Sequence, residues 1–528
     1  MNKVDDAHPA QGSHCAIGQR EKEVHALPPP SPLFDDKLQL PRSGMAVDMN
    51  AWEGLLRFDR DQQGTETLDV NKRIPAGWPY FGQLMSHDLS CLRGLYVDAE
   101  DPHRALGQFG PSLDLHTLYG FGPHAQAHLY ELAKDPLHGY AFRGVRFVLE
   151  TYQSAQGETV PDVPRKDMLP ITADVRNDDN FLLNQLLCVF MRFHNAVAEY
   201  FYETSKRQGN GPLTEEALFQ KTRVFATWTY QWLIVHEYLE KLMPDGLVTG
   251  LLQSLREGHT KGFILLDHKL HEAATLTPEF IHAAMRVGHS QVRGGYQLNA
   301  HHQHVDLFGD KPNRPDLRGF KRDPNRGAPD WSLFFDPQTA QKSRLMDLLL
   351  AKPLEHLPFP PKLGENLGHL NLKRSVEMGL VLPGDTNQLL LEKLGIAQAL
   401  SPDIVRAYYA NHPLNKSTRE WVDRLCQVEH WPLWAYVLME ARIYGCTPPK
   451  YRESTQPNQT LGPLGAHIIA EQILWILHQS KNAFLHRRGC DWTPETEITA
   501  IQKIPGFSPP FTIETLIAIA DNGIPVCE

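Results

Sequence analysis

Residues 180–202, NFLLNQLLCVFMRFHNAVAEYFY, constrain this chain more than any other stretch. Apolar side chains recur there at spacings of three and four, the period of an α-helix with a wide buried face. At 1.5 Å per residue such a helix runs about 34 Å, which only a large core can cover. The chain has the material for one: 528 residues, 41% of them hydrophobic, with 10 Trp, 23 Phe and 16 Tyr. Asp178 or Asp179, just ahead of the stretch, is expected to cap it.

Phe219–Leu242, Thr277–Val287 and Leu464–His478 carry the same period, and strand-like alternation is scarce. Residues 300–340 and 352–370 are rich in Pro and Gly and read as loops. The first 45 residues are polar and end in a Pro-rich run, which gives an N-terminal arm at 1–45 and one folded domain at 46–528. The expected class is mainly α, a single large helical domain with long ordered loops. A net charge of −10 without a basic block disfavours nucleic acid as a partner. Seven Cys without a CxxC pair fit a reducing compartment better than a disulfide framework. No secretory signal is legible at the N-terminus and no run of 18 apolar residues occurs, so a cytoplasmic protein without a membrane span is expected.

Four segments carry candidate chemistry. In YFGQLMSHDL (80–89), a helix would put Gln83 and His87 on one face and turn Asp88 away by about 100°. In ADVRNDDN (173–180), Arg176 precedes carboxylates at the mouth of the long helix; taken alone, a surface salt bridge and simple capping are the favoured explanations of these residues. In AMRVGHS (284–290), Gly288 would let another group approach close to His289. In GPSLDLHTLYG (110–120), alternating oxygen donors could surround a hard cation or make an ordinary turn.

Taken in order, FGQLMSHDL, LDLHTLYG, RNDDNFLLNQLLCVFMRFHNAVAEYF and MRVGHS resemble the successive motifs of the animal-type haem peroxidases, the peroxidase–cyclooxygenase superfamily. YQWLIVHEYLEKL (230–242), PLWAYVLMEARIYG and LGPLGAHIIAE are closer to its bacterial branch. The resemblance runs from about residue 75 to 520 and implies a helical domain around a buried haem b. It makes His87 the distal histidine, which moves a proton between the oxygens of hydrogen peroxide, and Arg176 the distal cation. Gln83 becomes the residue ordering water or halide, His289 the proximal ligand of the haem iron, and Arg286 a neighbour of a haem propionate. Asn387, in LPGDTNQ, matches the amide partner of the proximal histidine.

The sequence also departs from the family. Ser86 stands where a carboxylate would form one haem ester, and Asp179 stands where a Glu would form the other. Asn180 excludes a methionine–haem sulfonium link, so the haem is expected to be held largely without covalent bonds, with one possible ester through Asp179. Asp88 and Asp114 match two calcium carboxylates, with Gly110 and Ser112 able to offer backbone oxygens. His116 and Gly110 replace oxygen-bearing side chains, which disfavours Ca²⁺ and leaves Asp88 to bridge to the 110–116 loop through His116. The residues before His289 include no radical-forming Tyr, which disfavours a cyclooxygenase-like fatty-acid oxygenase. His301, His302 and His304 read as exposed histidines rather than a metal site, and Arg192 and His194 as packing.

The expected function is therefore a peroxidase that reduces H₂O₂ and oxidises a small organic donor or halide through a ferryl intermediate. Two alternatives stand beside it: a dedicated biosynthetic haem oxygenase or coupling enzyme, and a non-catalytic haem-binding protein.

Overall fold

The computed structural model describes residues 47–526, except 60–69, 91–110, 135, 208–210, 267–273, 310–313, 359–363, 384–393, 395–399, 411–415 and 446–458. The proposed arm at 1–45 and Asn387 lie outside the described residues.

The helices that position the site are, in chain order, α1 (Trp78–Leu89), α2 (Phe181–Arg207), α3 (Glu215–Leu233), α4 (Leu367–Glu377), α5 (Leu433–Tyr444), α6 (Pro463–Gln479) and α7 (Ile513–Asn522). Among the described residues, β-structure is limited to six two-stranded ladders and three isolated bridges, as the scarce alternation implied. The mainly helical architecture expected from the sequence is the one observed.

α2 is the central helix. It packs against α1, α3 and α7, and Leu182, Leu183, Leu186, Val189 and Phe193 are fully buried. Its length and composition would suit a membrane crossing, but 83% of its most apolar window is buried inside the protein, which makes it a core helix. Neither predicted aspartate caps it. Asn180 does, its Oδ1 accepting the Leu182 N–H at 2.9 Å. Asp178 is turned inward instead because a stronger partner is available. The Arg165 guanidinium grips both its oxygens, at 2.6 and 2.8 Å, and Arg165 also pairs with Asp162 at 2.7 Å. These side chains are almost completely buried, so removing one partner would strand a charge at a cost of about 3–5 kcal/mol.

Two predicted helices are interrupted. After α3 the backbone passes through a wider π-type turn at Ile234–Leu239. The expected helix at 277–287 divides into Pro278–His282 and a 3₁₀ turn, Ala284–Val287, with Ala283 between them at φ −130°, ψ −75°. The break has a local cause: Arg286 Nε donates to the Ile281 carbonyl at 3.1 Å, taking an acceptor that an unbroken helix would use. The described parts of the 300–340 region are mostly irregular, with a short strand at Val305–Asp306 and a helical turn at Ser332–Phe335, and a buried arginine ties them together. Arg326 is 1% exposed, donates to the carbonyls of Asp316, Arg318 and Lys321, and lies over the Phe181 ring.

Candidate active site

The distal half is built from α1 and the turn before α2. Gln83 and His87 share a partly exposed face of α1, one turn apart, while Asp88 points into the core at 2% exposure. The His87 imidazole donates from Nδ1 to Asn177 Oδ1 at 2.9 Å. Burial and the nearby Arg176 charge push its pKa down to about 4, so at neutral pH the ring is uncharged. With Nδ1 carrying the proton, Nε2 carries the lone pair.

Arg176 and Asn177 belong to one 3₁₀ turn, Val175–Asp178. Arg176 reaches the C-terminal end of α1, donating from Nη2 to the His87 carbonyl at 3.0 Å and the Ser90 carbonyl at 3.2 Å. Asp174, the cap of the same turn, pairs with it at 2.6 Å. The turn is pressed against residues 317–320. A Cβ on Gly319 would lie 1.4 Å from the Asp178 carbonyl oxygen, so only glycine permits this approach. Asp179 is partly buried beside Gly319, whose N–H it receives on its own carbonyl at 3.1 Å. Ser86 is on α1, directly ahead of His87.

The proximal half is built from the 278–291 segment, α4 and α5. α6 holds its entry through Gln472 Oε1, which accepts from the N–H and hydroxyl of Thr277 at 3.0 and 2.9 Å. α5 holds its centre through Trp434 Nε1, which donates to the Arg286 carbonyl at 3.2 Å. His289 sits on the short helix Gly288–Gln291, and a Cβ at Gly288 would meet nothing within 4 Å. The amide of Asn371, on α4, lies against His289 Nδ1 at 2.8 Å. Asn371 is therefore an amide at His289 that the sequence did not point to, while Asn387 lies outside the described residues.

One turn after Asn371, Arg374 approaches Arg286. Burial, reinforced by the Arg374 charge, pushes the Arg286 guanidinium down to about 9, and burial also lowers Arg374. Neither forms an ion pair with a carboxylate among the described residues. The sequence reading missed Asn371 and Arg374. Their i, i+3 spacing puts them on one face of the helix but does not show what that face meets.

These observations test whether haem would fit. Two cations crowded together in a dry setting call for acidic groups such as propionates. The Asn371 Oδ1 is buried without a hydrogen-bond partner among the described residues. Turning the amide about Cβ–Cγ presents that oxygen to Nδ1–H, the arrangement an iron-ligating imidazole requires at its second nitrogen. The residues fit the group.

The described residues of the candidate calcium loop are held by hydrogen bonds of the protein's own. Asp88 accepts the backbone N–H of Leu115 at 2.9 Å and of Thr117 at 3.3 Å, so it faces N–H donors rather than a cation. The bridge to the loop runs through backbone N–H groups, that of His116 among them, while the His116 ring lies 3.9 Å from Asp114. Burial and the neighbouring Asp114 push Asp88 up to about 7, and burial raises Asp114. Ser112 and the rest of the 111–117 loop are described, whereas Gly110 lies outside the described residues. No cluster of three or more potential metal ligands occurs among the described residues. Of the three loop histidines only His301 is exposed. His302 is drawn in by Asn299 at 3.1 Å, and His304 pairs with Asp306 at 2.8 Å. His194 is packing, as expected: buried, with bonds to the Tyr119 hydroxyl and the Val145 carbonyl.

A helical core with a histidine on each of two separately held segments is the scaffold of a haem oxidoreductase. The chain belongs to the animal haem peroxidase family, whose model matches residues 59–381. Chorion peroxidase of Drosophila melanogaster is 24% identical over 301 residues, covering 53% of this chain. This chain spans only 35% of that relative's length. Among solved structures, peroxidase A of Dictyostelium discoideum is similar with a TM-score of 0.56 and 15% identity, over 93% of this chain and 96% of that one. A fatty acid alpha-dioxygenase of Oryza sativa gives 0.50 and 13%, over 86% and 74%. At these identities both likenesses concern the fold.

Proposed function

We propose that the chain is a haem-dependent peroxidase that reduces hydrogen peroxide and oxidises a small organic donor. The observation that carries this reading is the neutral His87, with its proton on Nδ1 and its lone pair on Nε2, beside a fixed guanidinium. A binding protein has no need of that pair; a peroxide-cleaving site does.

Haem, when bound through His289 with Arg286 and Arg374 at its carboxylates, supplies the redox couple that takes up the oxidising equivalents of peroxide. This chain's residues handle the protons. His87 Nε2 takes one from peroxide and returns it to the departing oxygen. Arg176 stabilises the negative charge that develops on that oxygen, and its bonds to the His87 and Ser90 carbonyls hold it in place. Asn371, with its oxygen on Nδ1–H, makes the His289 ring a stronger electron donor. Gln83, one turn from His87, is suited to order a water or halide on the same face. Because Ser86 cannot form an ester, the haem is held largely by these non-covalent contacts, with Asp179 the one residue left for a covalent link. Weaker anchoring favours organic donors over halides, and a dedicated biosynthetic substrate remains the second reading on the same ground.

The test is the absorption spectrum of the haem-loaded protein before and after one equivalent of H₂O₂, followed by acid–organic extraction of the haem. We expect a Soret band that changes promptly with peroxide, and extractable haem. Arg176→Ala should slow that change by about 10²–10³-fold. Unchanged peroxide kinetics in that variant would remove Arg176 from the mechanism. Turnover of generic phenols supports the first reading, and peroxide reactivity without phenol turnover the second.

A further inference from the structure

Asn177 differs from its neighbours in having no work in the fold beyond its turn. Its side chain is fully buried, and its Nδ2 has no hydrogen-bond partner among the described residues. Its one side-chain bond is from Oδ1 to His87 Nδ1, at 2.9 Å. The residues around it are pinned. Asp178 is clasped by Arg165, by Asn184 Nδ2 at 2.9 Å and by the Phe320 N–H at 3.0 Å, and the Asn177 N–H bonds to the Asp174 carbonyl at 3.2 Å. In a 3₁₀ turn successive residues are rotated by about 120°. Arg176 therefore goes to the end of α1 while Asn177 meets the ring.

We infer that Asn177 is the positioning residue that locks His87 in the Nδ1–H tautomer, so that Nε2 is the base. This rests on the peroxidase reading for its consequence, but not for its geometry. A neutral imidazole has one N–H. An acceptor at Nδ1 holds the proton there, whereas a donor or an apolar group at that place would leave Nε2 free to carry it and cancel the base. The backbone on either side of Asn177 is held, by the clasp on Asp178 and by the bond of its own N–H to Asp174, so one turn delivers its amide to the ring. Arg–Asn at 176–177 thus delivers the cation and the tautomer together.

The experiment uses the full chain, selectively ¹⁵N-labelled at histidine, in the parent, Asn177→Val and Asn177→Asp. First, the His87 ring nitrogens, assigned by their loss in His87→Gln, are read by NMR without added haem. The parent should show protonated Nδ1 and unprotonated Nε2. Asn177→Val should gain the Nε2–H form, and Asn177→Asp, which keeps the acceptor, should retain the parental pattern. Second, each protein is loaded with haem and mixed with H₂O₂. The peroxide step should fall by about 10–100-fold in Asn177→Val, while the donor-dependent return of the spectrum is unchanged. Asn177→Asp should recover most of the loss.

A parent that carries the proton on Nε2, or an Asn177→Val protein with the parental nitrogen pattern, overturns the inference. Equal slowing in Val and Asp also overturns it, because damage to the fold rather than a lost acceptor then explains the effect. If the NMR pattern shifts as stated but no variant, nor the parent, reacts with peroxide, the tautomer assignment holds and the peroxidase reading fails.

Discussion

The two histidines are held in opposite ways. His87 is served by its neighbourhood: its amide partner follows the distal arginine, and the cation is already neutralised by Asp174 within the same turn. His289 is served from a distance. Its amide comes from 82 residues further along, and its cations, Arg286 and Arg374, form no ion pair with a carboxylate among the described residues, although the Glu377 charge acts on Arg374. Among the described residues the cation beside His87 is thus paired within the protein, while those near His289 are left for an acidic ligand. That difference teaches where the chain invests in chemistry and where it invests in binding.

The largest expected effect is on the proximal side. Asn371→Leu keeps the helix and the volume but removes the Asn371 amide from His289. Haem affinity should fall by about 10–100-fold, measured by titration of the Soret band, and the reduction potential of the bound haem should rise as the imidazole loses its acceptor. If Asn371→Leu binds haem as the parent does, and Asn387→Leu does not, the sequence-based assignment is restored and the proximal description fails.

Next in size is Arg374→Gln. It removes one of two like charges, so the protein without haem should melt at a higher temperature than the parent, because Arg286 no longer faces a second guanidinium. Haem binding should weaken about tenfold in the same variant, through loss of a charge-assisted contact. A distal counterpart, Asp174→Asn, should do the reverse: it frees the Arg176 charge, leaves haem affinity unchanged and lowers stability. Parallel behaviour of the two variants would erase the contrast between the halves.

This contrast also explains what was legible in the sequence. The helices with strong periodicity appear within a few residues of where the pattern put them, because burial of a continuous apolar face dictates them. That Gln83 and His87 share one face of α1 was legible from their i, i+4 spacing, whereas the roles of His87 and Arg176 were legible only through the family resemblance. Asn177 was visible as a residue but not as a partner, since the direction of a 3₁₀ turn is not a periodic signal. Asn371 and Arg374 were illegible for another reason. Their role depends on how α4 docks against the 278–291 segment, a tertiary contact that no local pattern reports. The aspartate cap failed likewise through a long-range competitor: Arg165 outbids the helix N-terminus for Asp178.

The smallest effect concerns the scaffold under the proximal side. Glu440, on α5, is fully buried and accepts the Leu464 and Gly465 N–H groups at 3.0 and 3.1 Å, at the start of α6. Burial raises it to about 7, and these two bonds pull the other way without overcoming it. The native state therefore holds a proton on Glu440 that the unfolded chain releases near the ordinary carboxylate value. Between about pH 4.5 and 7 the native state binds more protons, so this group's contribution to stability falls as pH rises and is fully lost above 7. Glu440→Gln removes the titration and one acceptor. It should melt below the parent at pH 5, with the gap narrowing by pH 8, read by thermal unfolding at the two pH values. Asp88, on α1 and also raised to about 7, has a like charge as a second cause. Asp88→Asn should therefore also narrow its gap to the parent as pH rises over the same range, because the slope follows from the folded and unfolded values and not from their causes. A gap that stays constant from pH 5 to pH 8 would mean that Asp88 is not raised.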